Sequence, residues 1–192
     1  TRCLQHPLHF IFLTSIITSA MEKIDLKKQL SEYYSVPKNK IVVTEVPSFN
    51  YIMIDGQGNP NDSQQFQDAV SALFSLSYTI KFMIKKGAQQ ADYSVMPLEG
   101  LWWADDMSTF SVERKDDWKW TLMIMQPDMV TKAIYDEAFA ALSKKKDLPS
   151  LPLLRFEAMA DGLAAQILHI GPFSEEGPTI ARLHAFIKEN GY

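Results

Sequence analysis

The chain has few of the residues that usually mark a chemical site. A single cysteine, Cys3, among 192 residues can form no intramolecular disulfide and no Cys-x-x-Cys metal or redox pair; a cytoplasmic location is the expectation. The histidines are equally sparse: His6 and His9 lie near the start, and His169 and His184 stand fifteen positions apart, so no metal site and no metal cofactor is expected from their spacing. There is no G-x-S-x-G elbow to activate a serine. DGQG at 55–58 lacks the lysine and further glycine of a phosphate loop and reads as a tight turn. Excess positive charge is also missing, since Lys plus Arg number 19 against 23 Asp plus Glu. The resulting net charge of -4 gives no field to hold a phosphate backbone, so direct nucleic acid binding is not expected. Long apolar runs are absent apart from residues 8–20, thirteen positions where crossing a bilayer takes about 20; stable membrane insertion is not expected either.

What is present describes a globular domain: 46% hydrophobic residues with 22% charged are enough to build a sizeable core. Residues 1–20 read as a leader or a nonnative upstream extension, because the chain opens on Thr1 and a new amphipathic segment, MEKIDLKKQLSEYY, starts at Met21. The domain is accordingly taken as 21–192, as a monomer or homodimer.

Hydrophobic periodicity then sets the elements. A short helix over 22–34 is followed by strands over 41–46 and 51–55, the second placing Tyr51, Met53 and Asp55 on one face and Ile52 and Ile54 on the other. Ser63 caps a long helix whose apolar positions recur at three and four residue steps, stopped by Gly87. Strands over 93–103 and 118–126 pair antiparallel, a helix runs from Pro127 to about Lys146, and a strand, a glycine turn and a helix close the chain. The last unit repeats the earlier strand-turn-helix at an offset of 113, with Gly58 matching Gly171 and Val70 matching Leu183. The expected fold is therefore α+β: duplicated strand-helix-strand-strand units forming a concave antiparallel sheet with helices on one side. The second unit ends without its last two strands, and a continuation beyond Tyr192 is expected.

A sheet covered on one side has a second face to account for, and two halves can curve such faces around a cleft. In MPLEGLWWADD, Glu99, Leu101 and Trp103 share a face while Leu98 and Trp102 take the other. Met53, Trp103, Met123, Phe156 and His169 are candidates to line the cleft, an aromatic and thioether wall suited to a planar or cationic guest. Each has an ordinary alternative, the methionines and aromatics as core and His169 as a satisfied histidine. Glu99 and Glu157 are the candidate acids or bases where burial raises their proton affinity; the alternative is a solvated glutamate at a strand end.

The separated segments FNYIMIDGQGNPN, ALFSLSYTIKFMIKKG, MPLEGLWW, WKWTLMIMQP and LAAQILHIGPFSEEGPTIARLHAFIKENGY, taken in order, resemble the stand-alone GyrI-like proteins. That family of small-molecule-binding domains also serves as effector modules of multidrug-sensing regulators. The resemblance implies an apolar pocket on a concave sheet, no cofactor, and a hydrophobic or cationic small molecule as partner. It extends to the subgroup that hydrolyses cyclopropane-bearing genotoxic natural products, whose tryptophan pair Trp102 and Trp103 match. The family's pocket glutamate lies near the end of its domain, and no position up to Tyr192 corresponds to it. The resemblance leaves two functions open: a hydrolase that detoxifies such compounds, or a non-catalytic drug-binding or effector-sensing module.

Overall fold

The computed structural model describes residues 23–107, 110–111 and 114–192. The reading of residues 1–20 as a leader, and Met21 as the start of the domain, lies outside the described residues. In chain order the elements are β1 (Lys23–Ile24), α1 (Leu26–Gln29), α2 (Ser31–Tyr34), β2 (Ile41–Val46), β3 (Phe49–Gln57), α3 (Gln64–Lys86), β4 (Asp92–Tyr93) and β5 (Glu99–Trp103). They continue with β6 (Lys119–Gln126), α4 (Lys132–Ser143), β7 (Arg155–Met159), β8 (Gly162–Ile167) and α5 (Gly177–Glu189).

The centre is a four-stranded antiparallel sheet in the order β5-β6-β3-β7. Its even-numbered side chains, Ile52 and Ile54 on β3 and Trp120, Leu122 and Ile124 on β6, are all but fully buried, and α3 packs against both strands. The amphipathic pattern explains why: α3 turns Ala69, Ala72, Leu73, Leu76, Ile80 and Ile84 inward. Its start is fixed by Ser63, whose hydroxyl accepts from the Phe66 amide at 3.2 Å, and Gly87 caps its end. Beside it α4, capped by Thr131, adds Tyr135, Ala138 and Leu142 to the same core. The Tyr135 hydroxyl donates to the Leu154 carbonyl at 2.8 Å, tying α4 to the entry of β7.

A second sheet, β2 with β8, is antiparallel. It continues the β3-β7 pairing without a change of register: Phe49 faces Met159 and Val46 faces Gly162, three residues further along both strands. β2-β3 and β7-β8 thus form one long two-stranded ribbon, interrupted opposite Pro47 and Ser48, where proline supplies no ladder N–H. The internal repeat is present in the elements as well, since the same offset of 113 separates Phe49 from Gly162 and Gln64 from Gly177. The architecture is an α+β fold of strand-helix-strand-strand type, an open antiparallel sheet flanked by helices.

Three local expectations are corrected. The helix expected over 22–34 is, from Lys23 on, a short strand followed by two single turns, because β1 joins β4 in parallel and Leu30 adopts a non-helical φ of -101° and ψ of 31°. The strand over 93–103 is two pieces, β4 and β5, separated by a segment containing Pro97. The helix opened at Pro127 begins only at Lys132, once Thr131 can cap it.

Candidate functional site

The odd-numbered face of the sheet, turned away from α3, carries the polar chemistry. Cross-strand pairing sets Glu99 of β5 opposite Met123 of β6, Met123 opposite Met53 of β3, and Met53 opposite Arg155 of β7. One row of side chains therefore crosses four strands from a carboxyl to a guanidinium through two thioethers. In the neighbouring rows Tyr51 lies between Met125 and Glu157, and Asp55 is opposite Thr121.

This face is covered at its middle, which explains why Tyr51, Met53, Met123 and Met125 are all buried. The turn α2 reaches over it: Tyr33 meets the Phe49 ring edge-on at 5.6 Å, and the Tyr34 hydroxyl donates to Glu99 Oε1 at 2.7 Å. Burial is the main reason that Glu99 holds its proton more tightly than an exposed glutamate; the Tyr34 hydrogen bond opposes the shift and the charge of Asp161 adds to it. Burial likewise raises the phenols of Tyr34 and Tyr51, and the Glu99 charge raises both further. The cluster is thus two protonated phenols around a carboxyl of high proton affinity, with Asp161 supplying a second negative charge from the break between β7 and β8.

At the other end of the row Arg155 makes a two-pronged contact with Asp55, at 2.8 Å and 2.9 Å, and donates from Nε to Glu157 Oε2 at 3.0 Å. Thr121 donates to the same Asp55 at 2.6 Å. The Glu157 carboxylate is therefore engaged in an ion-pair network at the β7 edge, on the face of Glu99 but with β6 and β3 between them, and with Tyr51 and Met125 in its own row.

Of the residues expected to share a cleft, Met53, Met123, Trp103 and Glu99 do lie on one face, Trp103 four positions along β5 from Glu99. Trp102 and Phe156 lie on the other. Trp102 stacks on Phe66 of α3 at 6.1 Å and meets Trp118 edge-on at 5.5 Å, and Phe156 stacks on Tyr135 of α4 at 5.5 Å. The reason for Phe156 is register: it faces Ile52, a helix-side residue, so it takes the helix side too. His169 lies beyond the end of β8, where its Nε2 meets the Pro172 carbonyl at 3.1 Å and its Nδ1 meets Thr179 Oγ1 at 2.9 Å. A carbonyl can only accept, so Nε2 donates to it, and with the Thr179 contact the ring pins the turn into α5. Tyr34, Tyr51 and Asp161 were not anticipated. Tyr51 shares the strand face of Met53 and was readable from alternation; Tyr34 comes from 65 positions away and left no local signal.

Two grooves lie away from this face, one between β2 and α5 at Ile41 and Phe186, the other between α3 and α4. Among the described residues no group of three or more His, Cys, Asp or Glu side chains is placed to hold a metal ion, and no helix is long and apolar enough to cross a membrane.

The sequence profile of the GyrI-like small molecule binding domain matches residues 39–192. The chain belongs to the GyrI-like family. Three solved structures from Listeria innocua resemble this GyrI-like chain over 88% of its length. An uncharacterized conserved protein is 36% identical with a TM-score of 0.79, over 82% of its own chain. A protein described as a hydrolase is 36% identical with a TM-score of 0.74, over 85% of its chain. A further hydrolase is 37% identical with a TM-score of 0.77, over 82% of its chain. No curated protein matches the GyrI-like chain.

Proposed function

We propose that this GyrI-like domain binds bulky planar or cationic small molecules on the odd-numbered sheet face and hydrolyses cyclopropane-bearing genotoxic compounds, a detoxifying activity. The observation that carries this reading is Glu99, a carboxyl of raised proton affinity held by a phenol on a methionine floor; the hydrolase descriptions of two relatives support it. Trp103 stands roughly 13 Å along β5 from Glu99, four strand residues at 3.3 Å each. That span suits a flat substrate laid between an aromatic wall and the acid.

In the reaction, water attacks the cyclopropane methylene, the strained carbon–carbon bond breaks, and its electron pair passes through the conjugated ring to a carbonyl oxygen, which takes up a proton. The net change is the addition of one water. Glu99 accepts the proton of the attacking water, a task that its raised proton affinity favours over that of an ordinary glutamate. Tyr34 fixes the orientation of that carboxylate, and the protonated phenol of Tyr51 stands on the same face to donate toward developing negative charge.

The test is incubation of the protein with a cyclopropane-bearing DNA alkylator and detection of the water adduct by mass spectrometry. Turnover beyond one equivalent, reduced about 100-fold or more in Glu99→Gln, supports hydrolysis. A second reading, a non-catalytic drug-binding or effector-sensing module, is favoured by the matched domain's description as small molecule binding; saturable binding of the alkylator without adduct would select it, and neither binding nor adduct would remove both.

A further inference from the structure

On the far side of α3 from the sheet, Phe74, Tyr78 and Phe82 recur at four-residue steps. Their rings form a ladder with centroids 6.4 Å apart at each step and planes inclined by 30° and 26°. The middle and last rungs are open, Tyr78 being 46% and Phe82 48% exposed. With Leu142 the ladder floors a groove between α3 and the end of α4, and Lys145 and Lys146 stand at its rim. Among the described residues neither of these lysines makes an ion pair, whereas Lys81, near the Phe82 ring, is held by Asp92.

We propose that this groove docks an acidic amphipathic helix of a partner protein. The ladder repeats at close to the ~6 Å rise of four helical residues, so apolar anchors one turn apart on an incoming helix meet successive rings, the helix-in-groove mode of recognition. The two unpaired ammonium groups on the rim ask for carboxylates, and the charge complementarity selects an acidic partner. A second copy of the chain fits less well: pairing this groove with itself gathers Lys145 and Lys146 of both copies, four like charges, in one interface. An anionic membrane fits less well too, since three consecutive lysines at 144–146 fall short of the clusters of 4–8 that hold a protein to lipid, and the net charge of -4 opposes it.

Selection of a phage-displayed random peptide library on the full chain tests this. Enriched peptides should carry Asp or Glu with apolar residues four apart, and a fluorescent copy of the leading peptide should bind with an affinity about tenfold weaker or worse in Lys145→Glu/Lys146→Glu and in Tyr78→Ser/Phe82→Ser, with melting curves confirming that both fold. The lysine variant changes only exposed side chains and keeps the test open if the aromatic variant unfolds. Peptides without acidic residues, or binding that both folded variants retain, overturn the proposal. So does a groove serving another occupant: sedimentation with phosphatidylserine vesicles that the lysine variant abolishes, or a dimer in solution that the aromatic variant dissociates.

Discussion

Glu99 owes its chemistry to three neighbours whose effects differ in sign. Burial and the charge of Asp161 raise its proton affinity, and the Tyr34 hydroxyl lowers it. In Tyr34→Phe the lowering contribution is gone, so an NMR titration should show Glu99 ionising at higher pH than in the wild type, and the acid limb of any pH–rate profile should move with it. The same balance sets stability. A carboxyl whose folded proton affinity exceeds its unfolded one favours the fold below the ordinary carboxylate range and loses that contribution as pH rises through the folded value. Glu99→Gln keeps an acceptor for Tyr34 and removes the ionisation, so at neutral pH it should melt at a higher temperature than the wild type while losing turnover; a lower melting temperature would show that the ionised carboxylate stabilises the fold. Sequence reasoning set Glu99 with Trp103 on one face of a strand and Met53 with Tyr51 on one face of another, as the pairing has them, because alternation along a strand assigns faces one by one. It missed Tyr34 because no periodicity links a helical turn to a strand 65 positions on, and it misplaced Phe156 because the register of β7 against β3 is a tertiary property.

Among the elements, β3 and β6 are matched most closely at Gly56. A Cβ built there would stand 2.0 Å from the fully buried Trp120 ring, so the absence of a side chain is what lets that indole lie flat across its pairing partner. Gly56→Ala should cost about 1–3 kcal/mol or more by denaturant unfolding; a neutral result would mean that the Trp120 ring moves freely. The end of α3 depends on charge instead. The Lys85 hydrogen bond, outweighing the opposing effect of burial, and the Lys81 charge hold the Asp92 carboxyl below its usual range. A lowered carboxyl stabilises the fold above its unfolded value of about 3.9 and loses that contribution as pH falls through the folded one. Asp92→Asn should therefore melt earlier than the wild type at neutral pH, with the gap closing as the medium is acidified below about pH 4. The long amphipathic helices, their caps and the alternating strands were legible because each is a local pattern. The short elements were not: β1, α1 and α2 each span four residues or fewer, too few for a period to show.

Across the whole molecule, packing is uneven. β3 and β6 are paired along their lengths and enclosed by α3, whereas α5 contains no fully buried residue and packs on β8 alone among the larger contacts. Native-state hydrogen exchange should therefore separate two levels: amides of β3 and β6 opening only with global unfolding, and those of α5 opening at lower free energy. Equal protection in both would show that the ribbon transmits the full cooperativity of the central sheet. The repeat that relates the two halves was visible as an offset of matching residues, but the ribbon joining them was not, because strand pairing between positions over a hundred apart leaves no mark along the chain. The division of the central sheet into two faces also sorts the four tryptophans. Trp102, Trp118 and Trp120 share the helix side through ring contacts with one another or with Phe66, and only Trp103 stands with Glu99. Trp102 and Trp118 meet edge-on at 5.5 Å and Trp120 packs on Phe66, so their near-ultraviolet signals report the helix side, and the difference spectrum between wild type and Trp103→Phe should isolate the signal of the indole that shares the face of Glu99.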